Sequence, residues 1–561
     1  MDLKGTLTQI ILAAMPIPEK EDSPPLILET PKNADHGDIA VPCFLLAKQL
    51  KRSPHDIAKE VSTKIQDPLV TDIQVIGPYL NLFLNRKEVS GGILDQIITK
   101  KGNYGSNTDG SNAYVPIDLS GPNIAKPFSM GHLRSTMIGN AIANLSAKNG
   151  YRPVRINHLG DWGTQFGKLI AAYLKWGEKE KVKQHPIIEL LRLYVKFHDK
   201  AQHHTELNDE GRRYFKLLED GDPQTRELWE WFREESIQEF SRIYDLLGVS
   251  FDYLQGEAFY NDKMDEVVDI LTKNQLLQES EGALVVRLDE HDIPPCIIQK
   301  SDGATIYATR DFATALYRKR NFDFSRSLYV VGSEQSLHFE QLKLVLEKAG
   351  FDWAKDMIHV PFGMMLQNGK KMSTRKGRVI LLEEVLMESV ELAKQIIKEK
   401  NPSLENKDEV ARQVGIGAVI FQDLKHFRTN DVEFSFEQML NFDGETGPYL
   451  QYTHARCHSL LRKAGDFTPS IGQTIDEIEA WPVITHLSQF GEVVKQAWND
   501  YDPSKISRYS LDLARTFNHY YAKVRILDSD QKEVRLHLVY AVATVLKECL
   551  RLLGIQAPTA M

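Results

Sequence analysis

The sequence predicts a multidomain α/β protein whose centre is a parallel sheet of the Rossmann type. The first sign is an alternation of strands and helices over residues 109–435, with polar, glycine-containing turns where strands end. The second is a charged helical stretch at about 168–280, which interrupts the alternation as an insertion would. The third is the flanking chain: residues 1–108 are patterned as a small α+β domain, and residues 436–561 as an all-α domain.

Composition is typical of a globular protein from a reducing compartment. Hydrophobic residues make up 42% and charged residues 26%, and no apolar run approaches the ~20 residues that a membrane span needs. The four cysteines are scattered and form no Cys-x-x-Cys pair, which argues against zinc and disulfides. We therefore expect a cytoplasmic protein. The net charge of −9 does not exclude a nucleic-acid partner, because phosphate contacts need only a local basic surface.

One strand of the N-terminal domain has an aromatic face. Residues 77–85 alternate, which places Tyr79, Asn81 and Phe83 on the same side. An exposed aromatic ring beside an amide can stack on a base and hydrogen-bond to it, although an ordinary half-buried strand has the same pattern. Turn-forming residues 101–112 then link this domain to the next.

The first candidate site follows the first strand of the central domain. Residues 114–119 alternate as a strand, and residues 135–147 repeat apolar side chains at helical spacing. The turn between them holds Lys126, Gly131 and His132. Amide groups at a helix start favour phosphate, a glycine lets a ligand approach the backbone, and the two basic side chains are donors suited to a polyphosphate. A helix cap that happens to contain a histidine is the alternative.

Three later segments extend this pattern. Residues 158–167 and 332–338 are polar turns after predicted strands at 153–157 and 327–331. Residues 369–377 form a basic loop that contains the tripeptide Lys-Met-Ser. A solvated surface loop is the alternative for this last segment.

The Gly-His turn and the Lys-Met-Ser loop together resemble the two signature motifs of class I aminoacyl-tRNA synthetases, His-Ile-Gly-His and Lys-Met-Ser-Lys-Ser. Longer segments narrow the resemblance, because residues 120–135, 157–167 and 447–456 are similar to the arginyl-tRNA synthetase family. The similarity extends from residue 77 to the C-terminus. The chain is therefore identified as a member of that family, which implies an enzyme that ligates L-arginine to tRNA-Arg.

The resemblance implies an ATP site in two halves. One half holds adenine and the α-phosphate, and the other places cations on the β- and γ-phosphates as pyrophosphate leaves. The residues that match ATP-binding positions are Ser129, Gly131, His132, Glu334, Lys371, Met372 and Ser373, with Glu334 as the candidate for the ribose. Lys126, His132 and Lys371 match positions with a catalytic role. ATP and Mg²⁺ are implied, and zinc is not.

A second set of positions matches an arginine pocket. A guanidinium is planar, permanently charged and carries five donors, so it needs carboxylates in a fork geometry. Asp118 and Asp311 match the family's acidic contacts, and Tyr307 matches its aromatic neighbour of the guanidinium. Asn123 and Gln335 match the groups that hold the α-amino and α-carboxyl ends. Lysine lacks the fork and citrulline lacks the charge, so desolvated carboxylates would reject both. For Asp118, a strand-end residue that caps the loop is the alternative.

Two positions depart from the family's motifs. Ser129 stands where a histidine usually begins the first motif, and its hydroxyl supplies no charge. Thr374 replaces the second lysine of the other motif. The resemblance implies that Lys126 substitutes for that lysine, with Arg375 and Lys376 as further cations, and we expect an active enzyme. A tRNA-binding paralogue that has lost catalysis is one alternative, and another nucleotidyl transferase on the same sheet is a second.

The terminal domains are expected to bind tRNA. Basic and aromatic residues interleave over 517–525, which suits splayed single-stranded bases. The residues that match the family's tRNA contacts are Tyr449, Tyr452, Tyr521 and Met561 around the anticodon pocket, and Tyr79 and Asn81 near a D-loop base. Membership of a helix-bundle core is the alternative for each tyrosine of the first group. We expect a monomer.

Overall fold

The N-terminal part of the chain is an antiparallel sheet covered by helices, in a computed structural model that describes residues 3–15, 26–31, 33–300, 307–372, 374–375, 378–379 and 381–561. Its elements are α1 (Leu3–Ala14), β1 (Ile39–Pro42), α2 (Phe44–Leu50), α3 (Pro54–Lys64), β2 (Val70–Ile76), β3 (Tyr79–Leu84) and α4 (Arg86–Lys100). The strands are ordered β1-β3-β2. Helix α1 buries Leu7 and Ile11, which lie four residues apart on one face.

A parallel sheet lies at the centre of the chain, as the sequence predicts. The elements of this region are, in chain order, β4 (Tyr114–Asp118), α5 (Met130–Lys148), β5 (Arg152–Asn157), α6 (Thr164–Trp176), α7 (Lys179–Gln184), α8 (Pro186–Ala201), α9 (Glu206–Glu219), α10 (Pro223–Leu247), β6 (Tyr253–Leu254), α11 (Met264–Lys273), β7 (Leu277–Ser280), β8 (Ala283–Leu288), β9 (Ile293–Gln299), α12 (Tyr307–Phe322), β10 (Ser327–Gly332), α13 (Ser336–Lys348), β11 (Met357–Phe362), β12 (Met365–Gln367), β13 (Lys370–Lys371), β14 (Thr374–Arg375), β15 (Arg378–Val379), α14 (Leu382–Lys400), α15 (Lys407–Leu424) and β16 (Val432–Glu433). Five strands form the sheet in the order β11-β10-β4-β5-β6, all parallel. After β4 the chain adds β5 and β6 on one side of β4, and it then returns to add β10 and β11 on the other side. This reversal of strand order is a switch point, and such a point opens a crevice at the carboxyl ends of the strands.

Helices α6 to α10 interrupt the sheet between β5 and β6. The last of them closes at Gly248, whose φ of 66° is left-handed. The two-residue strand β6 then pairs with β5, inside the range that the sequence predicts as helical. Strands β7, β8 and β9 form a separate antiparallel sheet. A strand of two residues has too few positions to show an alternation, so β6 is invisible to periodicity.

Helix α5 begins at Met130, whereas apolar spacing alone predicted a start at residue 135. The earlier start places Gly131 in the first helical turn, where its backbone N–H faces outward from the helix end. Further along, Gly139 packs on the end of β4: a Cβ added there would lie 2.4 Å from the Cβ of Leu119. Glycine at this position lets α5 lie directly against the strand.

A buried ion pair ties α5 to the end of α15. The side chains of Arg134 and Asp423 are both fully buried, and Nε lies 2.8 Å from Oδ1. The same guanidinium donates to the backbone carbonyls of Arg428 and Asn430. The loop held in this way leads into β16, which pairs with β12. Arg134 therefore holds β12, the strand that precedes the Lys-Met-Ser loop, in a fixed position relative to α5, the helix that carries the Gly-His motif.

The C-terminal region is helical, with α16 (Phe436–Met439), α17 (Gly447–Lys463), α18 (Trp481–Ser488), α19 (Phe490–Asn499), α20 (Ser504–Lys523) and α21 (Lys532–Leu552). It contacts the N-terminal region: Trp481 donates from Nε1 to Asp38 at 2.8 Å, and the Tyr104 hydroxyl donates to the carbonyl of Leu487 at 2.9 Å. The three regions confirm the predicted fold class. Among the residues described here, no helix has the length and apolar character that a membrane crossing requires.

Candidate active site

A cavity of about 700 Å³ opens at the carboxyl ends of β4 and β10, a volume in the range of small-molecule sites. It brings together many of the predicted substrate contacts, namely Asp118, Asn123, Ser129, Gly131, His132, Asp311, Glu334, Gln335 and Met372. Most of these residues follow β4 or β10 of the parallel sheet or begin the helix after one of them, whereas Asp311 lies on α12 and Met372 follows β13. The strand-end turns predicted from the sequence therefore meet around one space.

His132 is held neutral at the start of α5. The backbone N–H of Ser129 donates to Nδ1 of His132 at 3.0 Å, so Nδ1 is an acceptor and the ring proton is on Nε2. Burial, and then the positive charge of Lys126, lower the pKa of His132 to about 4. The imidazole can thus donate to a phosphate oxygen from Nε2 without carrying a charge. The hydroxyl of Ser129 lies 3.2 Å from the same Nδ1, so Ser129 also orients the histidine.

Lys126 is not among the residues that line the cavity. Its Nζ lies 5.9 Å from the ring centroid of Tyr194, on α8 of the insertion. Its charge nevertheless acts on His132, whose pKa it lowers. The catalytic role of Lys126 stays a prediction.

Both carboxylate oxygens of Asp118 already accept from a buried arginine. Arg318 on α12 donates from its two terminal nitrogens, each 2.8 Å from an oxygen of Asp118, and its side chain is fully buried. The contact has the bidentate geometry that a substrate guanidinium would need. Asp118 lines the cavity, but its role as an arginine contact stays a prediction.

Asp311 lines the same cavity and is bound to a histidine. Its Oδ2 lies 2.6 Å from Nε2 of His338 on α13. Burial alone would lower the pKa of His338, but the hydrogen bond and charge of Asp311 outweigh burial and raise it. The two side chains join α12 to α13 across the opening of the cavity.

A third carboxylate, Glu257, was missed by the sequence reasoning. It follows β6 and lines the cavity beside Arg310 and Asp311. Burial is the main cause that raises its pKa, to about 7; Arg310 opposes this and the charge of Asp311 adds to it. Its Oε2 has no hydrogen-bond partner within the described chain, since Nη1 of Arg310 is 3.6 Å away. A buried acceptor without a donor is a place where a ligand donor is favoured.

Asp161 fixes the backbone that carries Glu257. Its side chain is 1% exposed, and it accepts from the backbone N–H of Ala258 and from Nε of Arg233, each at 2.9 Å. A Cβ added to Gly256 would lie 2.4 Å from an oxygen of Asp161, so the chain wraps closely around this carboxylate. Asp161 lies in the predicted turn 158–167, but nothing in the sequence pointed to its partners.

The second signature motif continues from the hairpin of β12 and β13. The Glu433 carboxylate accepts from the backbone N–H groups of Asn368 and Gly369 at the hairpin turn. Met372 is buried, and its N–H donates to the carbonyl of Met365 at 2.9 Å. The start of the motif is therefore anchored on β12.

Some of the predicted positions fall outside the residues that the structure describes. They are Ser373 and Lys376 as a whole and the side chains of Tyr307, Lys371, Thr374 and Arg375. Their roles stay predictions. Glu334 and Gln335, by contrast, are described and lie exposed in the turn between β10 and α13, with Glu334 folded over the backbone of Gly332.

Two of the predicted anticodon contacts meet on the C-terminal helices. The guanidinium of Arg456 lies 4.9 Å from the ring centroid of Tyr452 and 5.3 Å from that of Tyr521. Both tyrosines remain about two-fifths exposed, at 40% and 38%. An arginine between two accessible rings is a surface suited to stacked bases.

The other two positions of this group form hydrogen bonds with other parts of the chain, one inside the C-terminal region and one with the central region. The hydroxyl of Tyr449 accepts from Nδ2 of Asn518 at 3.0 Å. The carbonyl of Met561 accepts from Nδ2 of Asn401 at 2.9 Å. Their tRNA contacts stay predictions.

The predicted D-loop contacts lie on β3. Tyr79 is partly buried and meets Phe44 edge to face, with ring centroids 5.7 Å apart. Asn81 is only 3% exposed, so a base contact by its amide requires a rearrangement of its surroundings. Both assignments stay predictions.

The chain matches three family models. They are described as tRNA synthetases class I (R), catalytic domain, over residues 93–436; DALR anticodon binding domain, over residues 450–561; and Arginyl tRNA synthetase N terminal domain, over residues 1–84. The first of these covers more than half of the chain.

Sequence similarity to known proteins extends over nearly the whole chain. The chain is 58% identical over 538 residues to the arginine–tRNA ligase of Enterococcus faecalis, covering 95% of each chain. It is 52% identical over 565 residues to that of Streptococcus thermophilus, covering all of both. Among solved structures, the arginyl-tRNA synthetase of Thermus thermophilus has a TM-score of 0.83 at 26% identity, with full coverage of both chains.

Proposed function

The chain belongs to the arginyl-tRNA synthetase family and is a class I arginine–tRNA ligase, and we propose that the cavity at the carboxyl edge of its sheet is where arginine is activated and transferred. The observation that carries this proposal is a pair of carboxylates, Asp311 and Glu257, that face one cavity at the ligand-binding edge of a parallel sheet. A cationic amino acid is the substrate that such a pair favours.

The guanidinium is proposed to lie between Glu257 and Asp311. Glu257 has an unpartnered Oε2 and a pKa raised by burial, so a bound cation would supply the missing donor and favour the ionised carboxylate. Arg310 limits the net negative charge of the pocket and keeps Glu257 in place at 3.6 Å. Lysine would leave one of the two acceptors without a donor, and citrulline would leave the charge uncompensated.

The other end of the amino acid is proposed to lie nearer α5. Asn123 and Gln335 line the cavity on that side and are the candidates for the α-amino and α-carboxyl groups. Tyr307 remains the candidate for packing against the guanidinium. Asp118 remains a proposed contact of the guanidinium at the end of β4, where its pair with Arg318 holds the carboxylate in place.

ATP is proposed to bind at the first turn of α5. Backbone N–H groups near Gly131 and the neutral Nε2–H of His132 are donors for phosphate oxygens, and Glu334 is the candidate for the ribose hydroxyls. Lys126 and Lys371 are proposed to carry the charge that steadies the leaving pyrophosphate, with Ser129, Met372 and Ser373 completing the site.

Mg²⁺ is proposed to arrive with ATP and to neutralise phosphate charge. Within the described ranges, no group of three or more His, Cys, Asp or Glu side chains could hold a metal ion. An ion held chiefly by nucleotide phosphates and water needs no such cage. The cysteines give no reason to propose zinc.

The reaction then has two steps. The carboxylate of arginine attacks the α-phosphorus of ATP in line, which forms arginyl-adenylate and releases pyrophosphate. The ribose 2′-hydroxyl of the terminal adenosine of tRNA attacks the carbonyl carbon of this anhydride, which forms arginyl-tRNA and releases AMP. The protein positions the groups and neutralises charge in both steps.

tRNA-Arg is proposed to contact both terminal regions. Tyr452, Tyr521 and the arginine between them would stack on anticodon bases, with Tyr449 and Met561 nearby. Tyr79 and Asn81 would meet the D-loop. We further propose a monomeric, cytoplasmic enzyme.

ATP–pyrophosphate exchange tests the proposal. We expect exchange with arginine, increased by tRNA, and background exchange with lysine or citrulline. Exchange driven by another amino acid would refute the arginine pocket. Tight tRNA binding without exchange would instead point to a catalytically inactive paralogue.

A further inference from the structure

The backbone that carries Lys126 is held on both sides by helices. Just before it, the N–H of Ala125 donates to Oγ of Ser236, a fully buried residue of α10 in the insertion, at 3.0 Å. Just after it, the carbonyl of Phe128 accepts from the N–H of Leu382, the first residue of α14, at 2.9 Å. These contacts fix the segment between β4 and α5. A change in the position of the Lys126 ammonium is therefore a change in its own side chain.

The ammonium of Lys126 lies over an aromatic ring of the insertion. Its Nζ is 5.9 Å from the ring centroid of Tyr194 on α8, within the distance at which the face of a ring attracts a cation. Tyr194 packs in turn against His198, one helical turn later, with ring centroids 4.5 Å apart. Both Tyr194 and Lys126 are half-buried. The insertion thus reaches the predicted catalytic lysine through a ring that its own helix holds in place.

Lys126 lies between the ATP site and the insertion. Burial and then the charge of Lys126 lower the pKa of His132 at the start of α5. Burial also lowers the pKa of His198, and the charges of Lys168 and Lys126 lower it further. The ammonium is therefore close to a histidine on each side, although Lys126 does not line the cavity. Because a lysine has a flexible four-carbon stem, rotamer changes can carry its charge from one side to the other.

The ammonium cannot occupy both places at once. In the proposed function it steadies the leaving pyrophosphate, whereas in this structure it lies on the ring of Tyr194. Any contact that favours the ring lowers the fraction of enzyme whose lysine is available to the phosphates, and catalysis falls with that fraction. A triphosphate carries several negative charges, so it attracts the ammonium more strongly than a neutral ring does.

We propose that Tyr194 is a positioning residue for Lys126: its ring holds the ammonium outside the ATP site, and ATP draws the ammonium from the ring to the phosphates. This inference rests on the proposed role of Lys126 in pyrophosphate release. It gives the insertion a part in adenylate formation. It also explains how a lysine that lies outside the cavity can act on a substrate inside it.

The ATP dependence of pyrophosphate exchange, at saturating arginine and tRNA-Arg, tests this proposal. Tyr194→Leu removes the ring and should raise kcat/KM for ATP roughly two- to fivefold, the advantage that such a cation–ring contact gives to the ring position. Tyr194→Phe keeps the ring and should match the unmodified enzyme. Tyr214→Leu is the matched control, because it removes a half-buried tyrosine of α9 whose ring also contacts a cation, Arg213, at 4.8 Å. It should leave kcat/KM for ATP unchanged.

A gain in rate cannot come from damage to the fold, so its direction separates positioning from a structural role. An unchanged or lower kcat/KM for ATP in Tyr194→Leu would overturn the proposal. An equal gain in Tyr194→Phe would also overturn it, because the aromatic ring would then not be the cause.

Nuclear magnetic resonance locates the ammonium without any catalysis. The lysines of the full chain are dimethylated with ¹³C-labelled formaldehyde, which keeps their charge, and the Lys126 signal is identified by its loss in Lys126→Arg. Methyl groups over a ring have an upfield shift, which we expect in the unmodified enzyme and in Tyr194→Phe but not in Tyr194→Leu. Addition of ATP and Mg²⁺ should remove it.

The spectra and the kinetics distinguish failure of this inference from failure of the proposed function. A Lys126 signal without the upfield shift, or a shift that ATP leaves in place, would refute the positioning role of Tyr194. If Lys126→Met left pyrophosphate exchange unchanged, the proposed catalytic role of Lys126 would itself be wrong, and the proposal would fall with it.

Discussion

Removing the charge of Glu257 tests the proposed guanidinium site most directly. With a pKa of about 7, this carboxyl is ionised to about one tenth at pH 6 and about nine tenths at pH 8. If only the ionised form accepts the guanidinium, the apparent affinity scales with that fraction. Arginine binding to the unmodified enzyme should therefore weaken roughly tenfold from pH 8 to pH 6. Glu257→Gln should bind arginine roughly ten- to a hundredfold more weakly at pH 8, because a charged hydrogen bond contributes about 1.5–3 kcal/mol.

Isothermal titration with arginine between pH 6 and pH 8 measures both effects. The variant should show no pH dependence from this group, whereas Asp265→Asn, which removes an exposed carboxylate of the nearby α11, should keep the slope of the unmodified enzyme. The variant should also unfold at a higher temperature at pH 8. Because the pKa of Glu257 is raised in the folded protein, the unmodified enzyme loses folding stability as the pH rises from the ordinary pKa of a glutamate through about 7. The variant has no carboxyl to ionise and avoids this loss. An unmodified enzyme with pH-independent affinity, or a variant that retains the slope, would refute the reasoning.

Three further changes probe the remaining contacts. Asp311→Ala should raise the KM for arginine in pyrophosphate exchange and leave the Kd for tRNA nearly unchanged, because the second carboxylate of the pocket is lost. Arg318→Met should lower the free energy of unfolding in urea by about 3–5 kcal/mol, because it leaves Asp118 buried and unpaired. Gly139→Ala should destabilise by about 1–3 kcal/mol, because its Cβ would meet Leu119.

Each of these changes has a comparison that isolates its cause. An arginine KM that does not change would contradict the role of Asp311. Adding Asp118→Asn to Arg318→Met should restore part of the lost stability, and a further loss would contradict an uncompensated charge as the cause. Gly102→Ala, where the nearest atom to a new Cβ is 3.9 Å away, should change stability less than Gly139→Ala. Equal effects would mean that steric contact is not the reason.

The sequence was sufficient for the fold class, a parallel sheet with a helical insertion between two terminal regions, and for the strand-end turns that line the cavity. Strands at 114–119 and 327–331, each followed by a polar turn, place Asn123, His132 and Glu334 at one edge, because carboxyl ends of parallel strands lie together. Similarity to a known family supplied the chemical roles. Both the residue pattern and the family resemblance can be recognised without knowing which side chains contact one another.

The missed features depend on contacts between distant parts of the chain. Glu257 follows a two-residue strand that shows no alternation, so nothing local marks it as a cavity residue. Arg318 lies on α12, and nothing in its local sequence indicates that the fold buries it against Asp118, 200 residues earlier. A residue's partners across such distances, and hence its charge balance, follow from packing rather than from pattern.

The buried pair of Arg134 and Asp423 constrains how this chain can change over evolutionary time. Losing either partner alone leaves an unpaired charge in the protein interior and lowers the stability by about 3–5 kcal/mol. Replacing both partners with well-packed apolar side chains can leave the stability unchanged. Any single step away from the pair therefore crosses a deleterious intermediate. The two positions, 289 residues apart, should behave as one heritable unit, replaced together or retained together when libraries of this enzyme are selected for growth.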